Sequence, residues 1–362
     1  MSLLHAKHEK FFQRCLIALP SAAASEDSNK LAIIFFCLQG LQLLNKLEFT
    51  KEERLFHEDY IWNSFYIDRE TFSTFRSTPY FSQAGESYDY GNISACFFAL
   101  ASLVLLQSDL KRLDRSKVMR YLKKCQVSHG PDKGGFVPFD NEYEFGDPDL
   151  RQCYMALLVR QLLLCQGEVN DDIDLESLQE FILSRLNVNG GFCSRVLDEA
   201  HLGFTFCAIA SLKLLGYPIE RLNKTRNWLF RRQISYPDSL YSDINYKYFK
   251  KSDTGGFNGR ENKLGDTCYS WWCIGSLYLM SSANLSHLNL HQAASFLLNC
   301  TQNNVIGGFS STSESTPDPM HSCLALASLA LWDHQKYNLD EIDPVFVMSK
   351  RLLALYRSKV NS

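Results

Sequence analysis

The chain has 362 residues, 46% of them hydrophobic, enough for one large or two ordinary domains around a sizeable core. Its 37 basic and 40 acidic side chains leave a formal charge of -3, which argues against a nucleic-acid footprint or a basic membrane-binding surface. Twelve cysteines are scattered, several of them inside apolar stretches (Cys153, Cys165 and Cys207), and without an export signal they read as reduced core thiols.

From the N-terminus, MSLLHAKHEKFF mixes charges with apolar positions and lacks the continuous apolar core of a signal peptide. The longest apolar run, near residues 95–106, is too short to span a bilayer. A soluble, cytoplasmic protein with no stable membrane insertion is expected.

The chain then repeats itself. Gly-Gly-Phe occurs at 134–136, 190–192, 255–257 and 307–309, at intervals of about 50 to 65 residues. A stretch with helical periodicity precedes each triplet. Before the second it runs through Leu175, Leu178, Phe181, Ile182, Arg185 and Leu186, with Arg185 interrupting the apolar face. After each triplet comes a helix apolar nearly all round, starting near Arg151, Leu202, Asp266 and Met320. Amphipathic helices belong in an outer layer and apolar ones in an inner layer. The glycines are expected to end one helix and turn the chain inward. A pair of this kind cannot bury itself alone, so an all-α, closed alpha-alpha barrel is expected over 1–362 as a single domain. An open superhelical array is the alternative. Residues 234–254, rich in tyrosine and lysine, lengthen one interval and read as a loop insertion.

Chemistry collects at one end of the inner helices. Asp266 and Cys268 lie ten and twelve residues after Gly256, and His321 thirteen after Gly308, with Pro319 suited to a first helical turn. Carboxylate, thiolate and imidazole suit zinc, and three protein ligands leave a catalytic position open. Each also has a plain structural reading: Asp266 as an N-cap, Cys268 as a buried thiol, His321 as a core imidazole. Nearby stand His201, Arg260, Lys263 and Tyr269. Two cations, an imidazole and a phenol close to helix starts suit a polyanion such as diphosphate. Tyr154, Phe204, Trp271 and Trp272 could line an apolar cavity, although aromatics at helical spacing usually fill a core.

The stretches GRENKLGDTCYSWW, AHLGFTFC, DLRQCYMA and PDPMHSCLA resemble motifs of protein prenyltransferase beta subunits, and HEKFFQRCLIALP and KLAIIFFCLQGL resemble the type I geranylgeranyl branch in particular. The resemblance covers about residues 8 to 330. It implies an alpha-alpha barrel, an obligate helical-repeat alpha subunit, and transfer of a geranylgeranyl group from its diphosphate to the cysteine of C-terminal CaaX motifs, as on Rho-type small GTPases. By position it makes Asp266, Cys268 and His321 the zinc ligands and His201, Arg260, Lys263 and Tyr269 the diphosphate groups. Arg151 matches an arginine lining the substrate cavity. Ala32 stands where farnesyltransferases carry a tryptophan, leaving room for a fourth isoprene unit, and Met320 replaces their tyrosine. Asn92, Ser94 and Gln152 differ from the animal type I enzyme around the substrate's last side chain. Ser311 stands where farnesyltransferases have a magnesium-binding aspartate and many type I enzymes a lysine, so magnesium is left unassigned. A Rab-type or farnesyl-transferring beta subunit, a triterpene-cyclase-like enzyme and a non-catalytic toroidal binding module are the competing readings.

Overall fold

The computed structural model describes residues 2–85, 88–140, 146–165, 171–236 and 250–360. Its α-helices in chain order are α1 (His5–Ile17), α2 (Lys30–Leu43), α3 (Lys51–Phe65), α4 (Ile93–Leu105), α5 (Arg115–Cys125), α6 (Leu150–Leu164), α7 (Leu175–Ser184), α8 (Leu202–Leu214), α9 (Asn223–Phe230), α10 (Thr267–Met280), α11 (Leu290–Ser295), α12 (Pro319–Tyr337) and α13 (Lys350–Val360). The described strands are two or three residues long, among them β1 (Tyr66–Asp68), β2 (Ser73–Phe75), β3 (Phe309–Ser310) and β4 (Pro317–Asp318). Two compact units share these elements. One holds Met1–Cys15, Leu43–Lys46 and Arg185–Val347; the other holds Leu16–Gln42, Leu47–Ser184 and Met348–Ser362.

In the first unit α10 packs between α8 and α12, and each of the three is buried around most of its circumference. This is what their apolar sequences require, since no polar face is left for water. The helix α9 instead buries one stripe, Thr225, Trp228 and Leu229. In the second unit α4 packs on α6, while α5 buries Val118, Met119, Tyr121, Leu122 and Cys125, and α7 buries Ser177, Leu178, Phe181 and Ile182. The inner and outer classes read from the pattern are therefore present.

The glycines serve a different purpose from the one expected. The outer helices α5 and α7 end at Cys125 and Ser184, well before their Gly-Gly pairs. Arg185 and Leu186 are not helical: Arg185 is buried, and Leu186 forms a β-bridge with Phe192 across the turn. Gln126, Gln233 and Gln302 bridge Phe136, Phe257 and Phe309 in the same way. What needs the glycines is the next outer helix, whose backbone crosses each turn. At Gly134 the φ is +89°, and a side chain there would strike the Ser177 carbonyl; at Gly190 it would strike that of Lys224, and at Gly255 that of Gln292. One helical turn on, Phe181, Trp228 and Phe296 pack against Gly135, Gly191 and Gly256.

The fourth turn obeys the same rule with the first helix of the chain. Gly307 lies under the Lys7 carbonyl and Gly308 beside Phe11. Buried His8 accepts from the Gly308 amide through Nδ1 at 2.9 Å, meets Gln302 Oε1 through Nε2 at 2.9 Å, and stacks on Phe309 at 4.7 Å. The glutamines repeat as well: Gln126 reads both backbone groups of Asp174, Gln233 both of Asn289, and Gln302 the Leu4 amide. Each ties a turn to the outer helix that covers it.

Most of the expected insertion, residues 237–249, lies outside the described residues. Its near end, Ile234, exchanges backbone hydrogen bonds with Gly255 and Gly256. Among the described residues no helix is long and apolar enough to cross a membrane.

Candidate metal centre and diphosphate loop

The inner helices of the first unit all start in the same way. His201 caps α8 by accepting the Gly203 amide, Asp266 caps α10 by accepting the Cys268 amide at 2.8 Å, and Asp318 caps α12 by accepting the His321 amide at 3.0 Å. All three caps fall ten residues after the second glycine of their repeat. Asp318 was therefore legible from that offset, yet the sequence reading passed over it for His321.

Capping brings the reactive groups together. One ligand atom each from Asp266, Cys268 and His321 lies within 4.8 Å of the others, the only such group among the described residues. His321 Nε2 is 3.2 Å from Asp266 Oδ1, and its Nδ1 is 2.5 Å from Asp318 Oδ2. The second contact assigns the tautomer: Nδ1–H donates to Asp318, leaving Nε2 to face Asp266 and Cys268. Thr267 locks the two loops together, its amide donating to Ser311 O at 2.9 Å and its hydroxyl to Ser310 O at 2.7 Å. Strand β3 in turn pairs with β4, which ends at Asp318.

The electrostatics are those of a site built for positive charge. Burial alone would lower the His321 imidazole, but its hydrogen bonds to Asp266 and Asp318, helped by Cys268, carry it up to about 12. Burial works against the Asp266 carboxylate, and the bonds and charge of His321 still hold its carboxyl below the ordinary value. Burial pushes the Cys268 thiol up to about 12. Without a metal a proton on His321 supplies the charge that these acidic groups call for. A divalent cation could replace it, and the donor set of oxygen, sulfur and nitrogen with a carboxylate behind the histidine fits zinc.

Beside the centre, His201 Nε2 is 3.2 Å from the Tyr269 hydroxyl. Since His201 Nδ1 accepts the Gly203 amide, Nε2–H is the donor to Tyr269, and the phenol's own proton is left to point elsewhere. Burial and the nearby Cys268 and Asp266 push the Tyr269 hydroxyl up to about 12, so it stays a donor. The loop between the bridged residues Asn258 and Gly265 carries Arg260 and Lys263, both exposed; Arg260 meets Glu199 at 3.3 Å. Gly259 lies against the Tyr269 ring, which no side chain there would permit.

Phe204 sits edge-on to His201 at 5.5 Å and Trp272 packs on Phe206 at 5.0 Å, both part-exposed, as is Met320. Trp271 corrects the sequence reading: it has no exposed surface and fills the core against Phe206, so it lines no cavity. In the second unit Ala32, Leu31, Phe98, Tyr90, Asn92 and Ser94 are among the residues lining a cavity of about 370 Å³. Tyr154 is 5% exposed, and the exposed Arg151 pairs with Asp149 at 2.7 Å.

Residues 3–348 match the family described as the prenyltransferase alpha-alpha toroid domain, and the chain belongs to that family. Among solved structures, the chain superposes on "Candida albicans protein geranylgeranyltransferase-I complexed with GGPP" with a TM-score of 0.94, at 53% identity over 99% of this chain and all of that one. The geranylgeranyl transferase type-1 subunit beta of Dictyostelium discoideum is 28% identical over 95% of both chains. Its Arabidopsis thaliana counterpart is 26% identical over 91% of this chain and 85% of its own. Within the family, the chain is thus of the type I geranylgeranyltransferase beta-subunit kind.

Proposed function

We propose that the chain works as the catalytic beta subunit of a zinc-dependent geranylgeranyltransferase type I. It would act with an alpha subunit, in the cytoplasm, on the C-terminal CaaX cysteines of small GTPases of the Rho class. The observation that carries this reading is the convergence of Asp266, Cys268 and His321 within 4.8 Å at the starts of neighbouring inner helices.

Asp266, Cys268 and His321 would hold the ion, with Asp318 orienting His321. Bound zinc would supply a Lewis acid that lowers the pKa of the acceptor thiol, which otherwise is only a few per cent ionised at neutral pH. The acceptor sulfur attacks the first carbon of the allylic diphosphate. A carbon–sulfur bond forms, the carbon–oxygen bond breaks, and the thiol proton leaves to solvent. Charge then grows on the departing diphosphate. Tyr269, kept protonated and oriented by His201, donates to it, while Arg260 exchanges Glu199 for a phosphate oxygen and Lys263 adds a second cation. The small side chain of Ala32 on the wall of its cavity supports a twenty-carbon donor over a fifteen-carbon one.

Co-expression with a candidate alpha subunit, followed by metal analysis and competition between geranylgeranyl and farnesyl diphosphate on one CaaX peptide, tests the reading. One zinc per heterodimer and preferential geranylgeranyl transfer are expected. Transfer without bound metal, or transfer only to a Rab protein presented by its escort, would overturn it.

A further inference from the structure

Asp253 is 6% exposed and belongs to neither the metal centre nor the diphosphate groups. It lies in the short 3-10 helix Lys251–Asp253, just before the third Gly-Gly-Phe. Its Oδ2 accepts the buried amide of Gly265 at 2.9 Å. Gly265 ends the Asn258–Gly265 loop and directly precedes Asp266. The other stem of the loop is held by backbone bonds, Asn258 donating to Arg232 O at 3.0 Å and Gly259 O accepting the Leu202 amide at 2.8 Å, and Glu261 beyond it pairs with buried Arg232 at 3.7 Å. Gly265 also bridges Asn258 and lies against Ile234, and the Asp253 carboxylate supplies the side-chain hydrogen bond to its amide. A buried carboxylate is costly to keep unless the bond it makes is needed. Burial does push the Asp253 carboxyl up, and the Gly265 amide is the foremost influence holding it down.

We infer that Asp253 is a positioning residue for the donor diphosphate: by fixing the Gly265 stem it sets where Arg260 and Lys263 stand. This rests on the assignment of those two residues to the diphosphate. The same bond leaves the metal ligands alone, because Asp266 and Cys268 are held independently by the α10 cap, by Asp266 N to Phe257 O at 3.1 Å, and by Thr267. Asp253 therefore acts on donor binding and not on metal retention.

The test uses the full chain co-purified with its alpha subunit. The readouts are zinc content and the dissociation constant of a fluorescent geranylgeranyl diphosphate analogue, with inorganic diphosphate as competitor. Asp253→Ala orphans the Gly265 amide and is expected to weaken the analogue and inorganic diphosphate alike by about tenfold at full zinc content. Asp253→Asn keeps an acceptor oxygen and is expected to restore binding to within roughly twofold. Arg260→Ala serves as the reference. If Arg260→Ala leaves diphosphate binding intact, the assignment of the loop falls. If Arg260→Ala weakens it and Asp253→Ala does not, the positioning role falls. Loss of zinc in Asp253→Ala would likewise overturn it, by showing general support of the fold. Tighter donor binding in Asp253→Asn would overturn it too, by showing that charge and not geometry matters. Hydrogen exchange on the wild-type chain gives a check free of any variant's folding: the Gly265 amide is expected to be protected, and more so with inorganic diphosphate, and rapid exchange there would refute the bond.

Discussion

Two imidazoles of the first unit, part-buried His321 at the metal centre and fully buried His8 at the fourth Gly-Gly turn, meet opposite fates. Both are tied to helix starts or turns by a backbone amide and both make two ring hydrogen bonds. Burial disfavours charge on both. At His8 the neighbours are an amide proton and a glutamine, so burial prevails and takes the imidazole down to about 4. At His321 two carboxylates outweigh burial and take it up to about 12. Depth in the protein does not decide between a structural and a functional histidine; the charge of the neighbours does.

The largest effect that would sharpen this contrast is at the centre. Cys268→Ala is expected to abolish stoichiometric zinc and cut turnover by about a thousandfold, the several kcal/mol a Lewis-acid metal contributes, while the melting temperature of the zinc-free form changes little. Retained zinc by elemental analysis would break the contrast at its functional side. Next comes His8. Unfolded histidine titrates near 6.5, so between about pH 6.5 and 4 the unfolded chain binds the extra proton. The stability this neutral His8 contributes is complete above that window and lost as pH falls through it, by about 3 kcal/mol. Denaturant midpoints of wild type and His8→Asn at several pH values should diverge across this range, and parallel curves would refute the assignment.

Asp318→Asn makes the surroundings of His321 more like those of His8 while keeping a good helix cap. Zinc affinity in a chelator competition should drop by about 10- to 100-fold, the usual cost of altering a carboxylate behind a metal-bound histidine. Unchanged affinity would mean that Asp318 only caps the helix. The smallest effect concerns the third imidazole, His201, whose role is to aim Tyr269. Tyr269→Phe should lower single-turnover rates by about tenfold, the worth of one hydrogen bond to a charged group, with little change in zinc content. A rate equal to wild type would remove the phenol from the reaction.

Much of this protein can be read along the chain. Four Gly-Gly-Phe triplets, the apolar character of α6, α8, α10 and α12, and the offsets of His201 and Asp266 are local patterns, and they were enough to expect helix pairs with chemistry at the helix starts. Asp318 obeyed the same offset and was legible, but a capping aspartate looks ordinary until the histidine it orients is seen beside it. Gln126, Gln233 and Gln302 also recur, yet a glutamine beside a turn carries no signal until its two backbone partners are known. Trp271 and Trp272 are adjacent and chemically identical and both touch Phe206; only the tertiary packing leaves Trp271 with no exposed surface and Trp272 part-exposed.

Periodicity and residue chemistry therefore determined which segments are helices, which are inner, and which side chains could hold a metal. Tertiary structure decided what the glycines are for, that α1 covers the last turn, and which carboxylates face which histidine. The division has a physical cause. A helix's apolar stripe and cap are set by residues a few positions apart, whereas a backbone crossing or a ring's ionisation depends on atoms brought close from distant parts of the chain, such as His8 and Gly308 or Asp266 and His321.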